Sequence, residues 1–204
     1  MDDLVESGRE IIERGSKSFA VAARLFDRET RAGAYLLYAW CRHCDDETDA
    51  QKLGWGAEKL APEVVRARVA KIREQTARAL AGEPVAEAVF RGLRQVVERY
   101  GIPRRYVFEH LAGFEMDAVG HEYRQLEDTL LYSYHVAGVV GIMMSHVMGA
   151  DDEPTLDRAA DLGIAFQLTN IARDVLDDVA TGRVYLPADW LVQAGVPAAA
   201  VQAP

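Results

Sequence analysis

Apolar residues recur every three or four positions along almost the whole chain, and this spacing limits the folds that the chain can adopt. Between residues 84 and 100 they stand at Val85, Val89, Leu93 and Val96, on one face of a helix. We predict helices over 4–14, 28–44, 62–81, 84–100, 103–121, 129–149 and 155–179, and a short helix from 187. Since no segment shows a sustained alternation of apolar and polar residues, the predicted fold class is all-α, in one domain spanning 1–204.

The composition excludes some partners. The 204 residues carry a net charge of −9, which opposes binding to nucleic acid and to any anion that arrives without cations. The longest apolar stretch, Val136 to Met144, is shorter than the roughly 20 residues of a transmembrane helix. Because residues 1–8 lack the basic and apolar regions of a signal peptide, we expect a cytoplasmic protein.

The two cysteines, Cys41 and Cys44, have the CxxC spacing of a redox pair or of half a zinc site. The sequence has no second cysteine pair to complete a zinc site, and the surrounding pattern is helical. We therefore interpret both cysteines as buried thiols without a chemical role.

Two pairs of aspartates carry the strongest indication of chemistry. Asp45 and Asp49 are four residues apart, and so are Asp174 and Asp178, which puts each pair on one helix face. Neighbouring carboxylates repel unless a cation lies between them, and Mg²⁺ prefers such oxygen ligands together with substrate phosphates. The pairs therefore predict a site for Mg²⁺, or Mn²⁺, and such ions would let an acidic protein bind an anionic substrate.

Further polar residues extend both helix faces. Asn170 lies one turn before the second pair, with Gln167 close to the same face. Arg42 and Tyr38 precede the first pair in the same way, and the planar donors of an arginine suit a diphosphate. A single pair of this spacing is common on solvated helix faces, but two pairs inside mainly apolar helices favour a metal site.

Five segments resemble the squalene and phytoene synthase family, whose members join two prenyl diphosphates head to head. The segments are 16–19, 38–46, 132–141, 165–174 and 182–187, and they follow the order of the family over most of the chain. The resemblance is strongest to the bacterial phytoene synthase branch. It implies an isoprenoid-synthase-type helical bundle around a central cavity.

The resemblance also implies roles for individual residues. The metal ligands of the family match Asp45, Asp49, Asn170, Asp174 and Asp178, and its catalytic set adds Arg42 and Tyr38 to the aspartates. Positions that contact the substrate match Ser18, Phe19, Tyr38, Arg42, Tyr132, Ala137, Gly141, Gln167, Asn170, Arg173, Arg183 and Tyr185. The small residues Ala137 and Gly141 would leave room for a prenyl tail.

Some of these residues have a structural alternative. Ser18 would serve as the cap of the next helix, and Tyr132 would pack in the core with its hydroxyl satisfied. Arg173 and Arg183 would be surface charges. The sequence alone leaves these alternatives open.

The activity that the resemblance implies is the Mg²⁺-dependent condensation of two geranylgeranyl diphosphates to phytoene, in carotenoid biosynthesis. The alternatives are a squalene or dehydrosqualene synthase that uses farnesyl diphosphate, and a non-catalytic relative that serves as an assembly module. Family members continue beyond the position of Pro204, so we expect the C-terminal helices of the bundle to be missing here. The apolar product suggests peripheral membrane association, and the oligomeric state is left open.

Overall fold

The computed structural model describes residues 2–48 and 60–196. Within these ranges every regular element is helical, which confirms the all-α prediction. The elements are α1 (Asp2–Gly15), α2 (Lys17–Ala23), α3 (Arg28–Thr48), α4 (Pro62–Leu80), α5 (Ala88–Tyr100), α6 (Arg104–Val119), α7 (Leu126–Ser133), a π-helical segment (Tyr134–Gly138), α8 (Val139–Val147), α9 (Glu153–Thr181) and α10 (Ala188–Gln193).

Helix α5 begins four residues later than the apolar spacing predicts. The prediction placed its start at Pro84, whereas the first helical residue is Ala88. The carbonyl groups that the missing turn would have used accept from arginine side chains instead. Arg78 donates to the Pro84 carbonyl at 3.3 Å, and Arg91 donates to the Val85 carbonyl at 3.2 Å. Side-chain hydrogen bonds of this kind compete with helix formation.

Helices α7 and α9 begin three and two residues before the predicted starts at 129 and 155, and each has a side-chain cap. The carboxylate of Asp152 accepts from the Thr155 amide at 3.1 Å and caps α9. Gln125 caps α7, and Asp128 completes the capping box by accepting from the Gln125 amide at 3.0 Å. Both arrangements satisfy amides that the first helical turn leaves unpaired.

The core lies between α3, α5, α6 and α8. Its largest fully buried side chains include Trp40, Phe90, Leu93, Leu111, Met143 and Val107. His110 is buried with them, and its ring packs against Trp40 and Phe114 at centroid distances of 5.3 and 5.1 Å. A second, smaller cluster of Tyr123, Tyr132, Ile171 and Tyr185 lies against α9.

The run Leu126–Val147, formed by α7, the π-helical segment and α8, is 22 residues long, and the mean hydropathy of its most apolar window is 1.3. By length and composition alone this run could cross a membrane, and the apolar stretch Val136 to Met144 is its central part. Here the run packs against α6 and α9, and 44% of the most apolar window is buried. The core helix of a water-soluble bundle meets the same criteria.

Candidate active site

The first helix face is formed by three residues of α3. Arg42 lies 3.5 Å from the Asp45 carboxylate, one turn away, and its guanidinium lies 5.8 Å from the centroid of the Tyr38 ring. The three side chains are therefore neighbours on one side of the helix, as the spacing predicts. Asp49, the fourth residue predicted on this face, lies outside the described residues.

Two donors on this face are buried without a partner. Within residues 2–48 and 60–196 neither the Tyr38 hydroxyl nor the Arg42 Nε finds a hydrogen-bond partner. Burial raises the pKa of Tyr38, so its hydroxyl keeps its proton at neutral pH. Buried donors are normally paired, and unpaired ones at a polar face call for an external acceptor. An anion bound beside Asp45 would supply that acceptor.

Helix α2 borders the same face. The ring of Phe19 meets the Tyr38 ring edge-on, with centroids 6.1 Å apart. Ser16 caps α2 by accepting from the Phe19 amide at 3.3 Å, so Ser16, and not Ser18, is the cap. The Ser18 hydroxyl lies 3.2 Å from that of Ser16 and is exposed. The capping alternative for Ser18 is therefore wrong, and its substrate contact stays a prediction.

The second helix face lies on α9. Asn170 donates to the Gln167 side-chain carbonyl at 3.4 Å, which joins two of the predicted residues. Arg173 donates two hydrogen bonds to Asp174, at 2.6 and 2.5 Å, and these bonds lower the pKa of that carboxyl. Asp174 is thus ionised at neutral pH, with its charge partly balanced by its own neighbour.

The chain changes direction at the end of α9, and the segment that follows buries Tyr185. Gly182 adopts a left-handed conformation with φ of 87°, and the Arg183 amide donates to the Asp178 carbonyl at 2.9 Å. Arg183 therefore stays beside the last turn of α9. Two residues later Tyr185 is buried, and its ring stacks on that of Tyr132 with centroids 4.6 Å apart.

Sequence reasoning missed Asp117 in this cluster. Its carboxylate accepts hydrogen bonds from the hydroxyls of Tyr132, at 3.0 Å, and Tyr185, at 3.2 Å. The signal that could have found it is an aspartate in the last turn of a mainly apolar helix. Tyr123 was also missed, and it packs edge-on against both tyrosines. Tyr132 is packed in the core and its hydroxyl has a hydrogen-bond partner, as the structural alternative for this residue predicts.

A cavity of about 460 Å³ connects the ends of the two aspartate helices. Its walls come from the C-terminal ends of α3, α6 and α9 and from the start of α4. The lining residues include Thr48, Arg66, Asp117, Thr181, Gly182 and Arg183. The C-terminal ends of α3 and α9 therefore border one space, and Arg183 is the predicted site residue among its described lining residues.

The small residues predicted to leave room for a prenyl tail have another use. A Cβ atom at Gly141 would lie 2.3 Å from the Ala159 carbonyl oxygen, and one at Gly163 would lie 2.4 Å from the Ala137 oxygen. The absent side chains let α9 approach α8 and the π-helical segment. For Gly141 the prediction of free space was wrong, because the backbone of α9 fills it. Ala137 presents its carbonyl to the same crossing.

The described residues supply only some of the ligands that a metal ion needs. In the ranges 2–48 and 60–196 no three His, Cys, Asp or Glu side chains come together as a cage. The donors on both faces are carboxylate and amide oxygens. Mg²⁺ is commonly held by one or two carboxylates and completed by waters and substrate phosphates, so the donor set fits an ion bridged to a phosphate.

The cysteines agree with a structural role. Both thiols are free, Cys44 is fully buried, and burial raises the pKa of Cys41 and of Cys44 well above the ordinary value. Neither is a reactive thiolate at neutral pH.

Comparison with known proteins assigns the chain to a family. The squalene/phytoene synthase family profile matches residues 12–204, and the chain belongs to that family. It is 50% identical to the 15-cis-phytoene synthase of Pantoea ananas over 193 residues, which cover 95% of this chain and 62% of that protein. It is also 50% identical to the 15-cis-phytoene synthase of a Paracoccus species, covering 96% of this chain and 64% of the relative.

A solved structure shows the same fold. The crystal structure of a dehydrosqualene synthase in complex with a ligand matches with a TM-score of 0.83 and 27% identity, over 99% of this chain and 67% of the other. The isoprenoid-synthase-type helical fold is thereby confirmed. The chain spans less than two thirds of the length of the curated relatives named above.

Proposed function

We propose that the protein is a phytoene synthase that joins two geranylgeranyl diphosphates head to head through prephytoene diphosphate, in carotenoid biosynthesis. The observation that carries the proposal is the pair of polar helix faces on α3 and α9, in a chain 50% identical to 15-cis-phytoene synthases. Use of farnesyl diphosphate, as in a dehydrosqualene synthase, is the second candidate. The similarity that favours it is lower, at 27% identity.

We infer that the cation is Mg²⁺, or Mn²⁺ in its place, held by Asp45 and Asp49 on one side and by Asn170, Asp174 and Asp178 on the other. When bound, it draws electron density from the departing diphosphate and stabilises the negative charge that develops. The net charge of −9 supports the need for such an ion. The oxygen donors on both faces suit it, as described above.

The protein's own donors would bind the diphosphates. The unpaired Tyr38 hydroxyl and Arg42 Nε face the same side as Asp45, so a diphosphate oxygen there would satisfy both. Arg183, beside the end of α9, would approach from the opposite side. These groups are fixed by packing before the reaction, so the enzyme would spend little free energy on reorganising them.

In the reaction, the carbon–oxygen bond of one substrate breaks, and its electron pair leaves with the diphosphate. The double bond of the second substrate attacks the resulting allylic cation, and loss of a proton closes the cyclopropane ring. Loss of the second diphosphate, rearrangement and another proton loss would give phytoene. Apolar and aromatic side chains such as Phe19 would keep water from the cations.

A direct test is incubation of the purified protein with geranylgeranyl diphosphate, with Mg²⁺ and with EDTA, followed by chromatography of the extracted lipid. We expect phytoene to form in the reaction with Mg²⁺ and not in the reaction with EDTA. A parallel reaction with farnesyl diphosphate separates the two candidates. Product of equal yield in the presence of EDTA would overturn the metal-dependent proposal.

We also propose a cytoplasmic protein that associates peripherally with membranes, because phytoene is too apolar to leave through water. Flotation with liposomes tests this association. Protein that stays at the bottom of the gradient, with and without substrate, would contradict it.

A further inference from the structure

We propose that Asp117 is a positioning residue that holds Arg183 at the cavity through the hydroxyl of Tyr185, an inference that rests on the proposed function. Asp117 stands in the last turn of α6 and lines the same cavity as Arg183. Its carboxylate is the acceptor that the Tyr132 and Tyr185 hydroxyls share.

The contact joins three separate parts of the chain. Asp117 belongs to α6, Tyr132 to α7, and Tyr185 to the segment that follows α9. The two hydroxyls also lie 3.1 Å from each other. Both tyrosines are only 6% exposed, so each hydroxyl has to find a partner inside the protein. Without the carboxylate, the two hydroxyls would have only one another as partner among the contacts described here.

The electrostatics keep both tyrosines as donors. Burial, together with the negative charge of Asp117, raises the pKa of Tyr132 and of Tyr185 well above the ordinary value. The positive charge of Arg183 lies close enough to act on Tyr185 in the opposite sense. A charged acceptor roughly doubles the strength of such hydrogen bonds, so this contact is one of the stronger anchors of the segment.

Arg183 lies between two fixed points. On one side its amide is bonded to the last turn of α9. On the other side Tyr185 is anchored twice, because its carbonyl accepts from the Thr129 hydroxyl at 2.7 Å and its own hydroxyl bonds to Asp117. The Thr129 bond fixes the backbone, while the Asp117 bond fixes the ring that stacks on Tyr132. Loss of Asp117 should therefore loosen Arg183 without unfolding α9.

The chain offers a matched control on the same helix. Glu109, also on α6, accepts a hydrogen bond from the Tyr134 hydroxyl at 2.7 Å. The Glu109→Ala variant removes the same kind of contact, a carboxylate that receives a tyrosine hydroxyl, away from Arg183. It controls for the general cost of deleting such a contact in α6.

The first measurement is hydrogen exchange of residues 182–187, followed by mass spectrometry, in the wild type and in Asp117→Ala, Asp117→Asn and Glu109→Ala. We expect exchange in this segment to become roughly tenfold faster in Asp117→Ala, the scale of losing a hydrogen bond to a charged group. Asp117→Asn, which keeps an acceptor oxygen, should restore part of the protection, and Glu109→Ala should leave it unchanged. Unchanged exchange in Asp117→Ala would overturn the inference.

The second measurement is the affinity for inorganic diphosphate in the presence of Mg²⁺, by calorimetry. We expect Asp117→Ala and Arg183→Ala each to weaken binding about tenfold, and the double variant to be no weaker than either single variant. Additive losses would show that Asp117 does not act through Arg183. If the wild type forms no phytoene while the exchange difference remains, the proposed function fails and the positioning role stands.

Discussion

The two aspartate-bearing helices are embedded in the molecule to different degrees. Most of the α3 segment from Gly33 to Trp40 is buried, and Trp40 is fully so. Helix α9 packs along one side only. Three of its apolar side chains, Leu162, Phe166 and Leu176, are 58%, 59% and 83% exposed. One half of the site is therefore built on the core, and the other on a helix whose outer side faces solvent.

This difference extends to the polar groups. On α3 the Tyr38 and Arg42 donors are buried and lack partners within the described residues, so they stand ready for a ligand. On α9 the Asp174 carboxylate is already engaged by Arg173, which is 67% exposed. Charges interact more strongly where water is excluded. We infer that the α3 side supplies prearranged binding, while the α9 side has to exchange an internal partner for a ligand.

The largest expected effect comes from the aspartates themselves. Replacing Asp45 or Asp174 by asparagine should lower turnover on the order of 10² to 10³-fold, the scale of losing one stabilising group in an active site. The loss should be larger for Asp45, because the donors beside it on α3 are buried, whereas Asp174 is already engaged by Arg173. The measurement is the initial rate of phytoene formation, with circular dichroism to show that the fold is kept.

The matched control for this test is Asp161→Asn, at an exposed position on α9 outside the proposed ligand set. It should keep the wild-type rate. A rate within threefold of wild type in Asp45→Asn would contradict the metal site, and an equal loss in both aspartate variants would contradict the difference between the two helices.

An effect of intermediate size on stability should appear when the pH is lowered, because a histidine is buried in the core beside α3. Burial lowers the pKa of His110 to about 4, whereas an unfolded histidine titrates near 6.5. The neutral imidazole is the native form, so its contribution is fully present above pH 6.5 and is lost as the pH falls toward 4. The total is on the order of 3 kcal/mol, of which about 2 kcal/mol disappears between pH 7 and pH 5.

Urea unfolding at pH 7 and pH 5, compared between the wild type and His110→Asn, isolates this contribution. The variant keeps a donor near the His135 carbonyl, which His110 contacts at 3.1 Å, but it does not titrate in this range. We expect the free energy of unfolding of the wild type to fall by about 2 kcal/mol more than that of the variant. Parallel losses in the two proteins would show that His110 is not held neutral by its burial.

The sequence predicted the parts of the molecule that depend on local spacing. The helical class and the shared face of Tyr38, Arg42 and Asp45 follow from the helical repeat alone. The start of α5 was wrong because Arg78 and Arg91 capture carbonyls in the preceding turn, which the apolar spacing does not reveal. The role of Gly141 was wrong because a missing side chain looks the same whether a ligand or the backbone of α9 fills the space. Asp117 was missed because its partners lie 15 and 68 residues away.

The smallest effect should separate the two arginines, and it tests the comparison most directly. Arg173 is bonded to Asp174 in an exposed position, so Arg173→Ala should lower the free energy of unfolding only slightly at pH 7. Arg173 lowers the pKa of Asp174, so this contribution exists above the ordinary aspartate pKa and vanishes as the pH falls below about 4. Arg42→Ala removes a less exposed guanidinium, at 20%, from beside Asp45 and should cost more. Urea unfolding of both variants at pH 7 decides the question, since equal losses would mean that embedding in the core does not distinguish the two halves of the site.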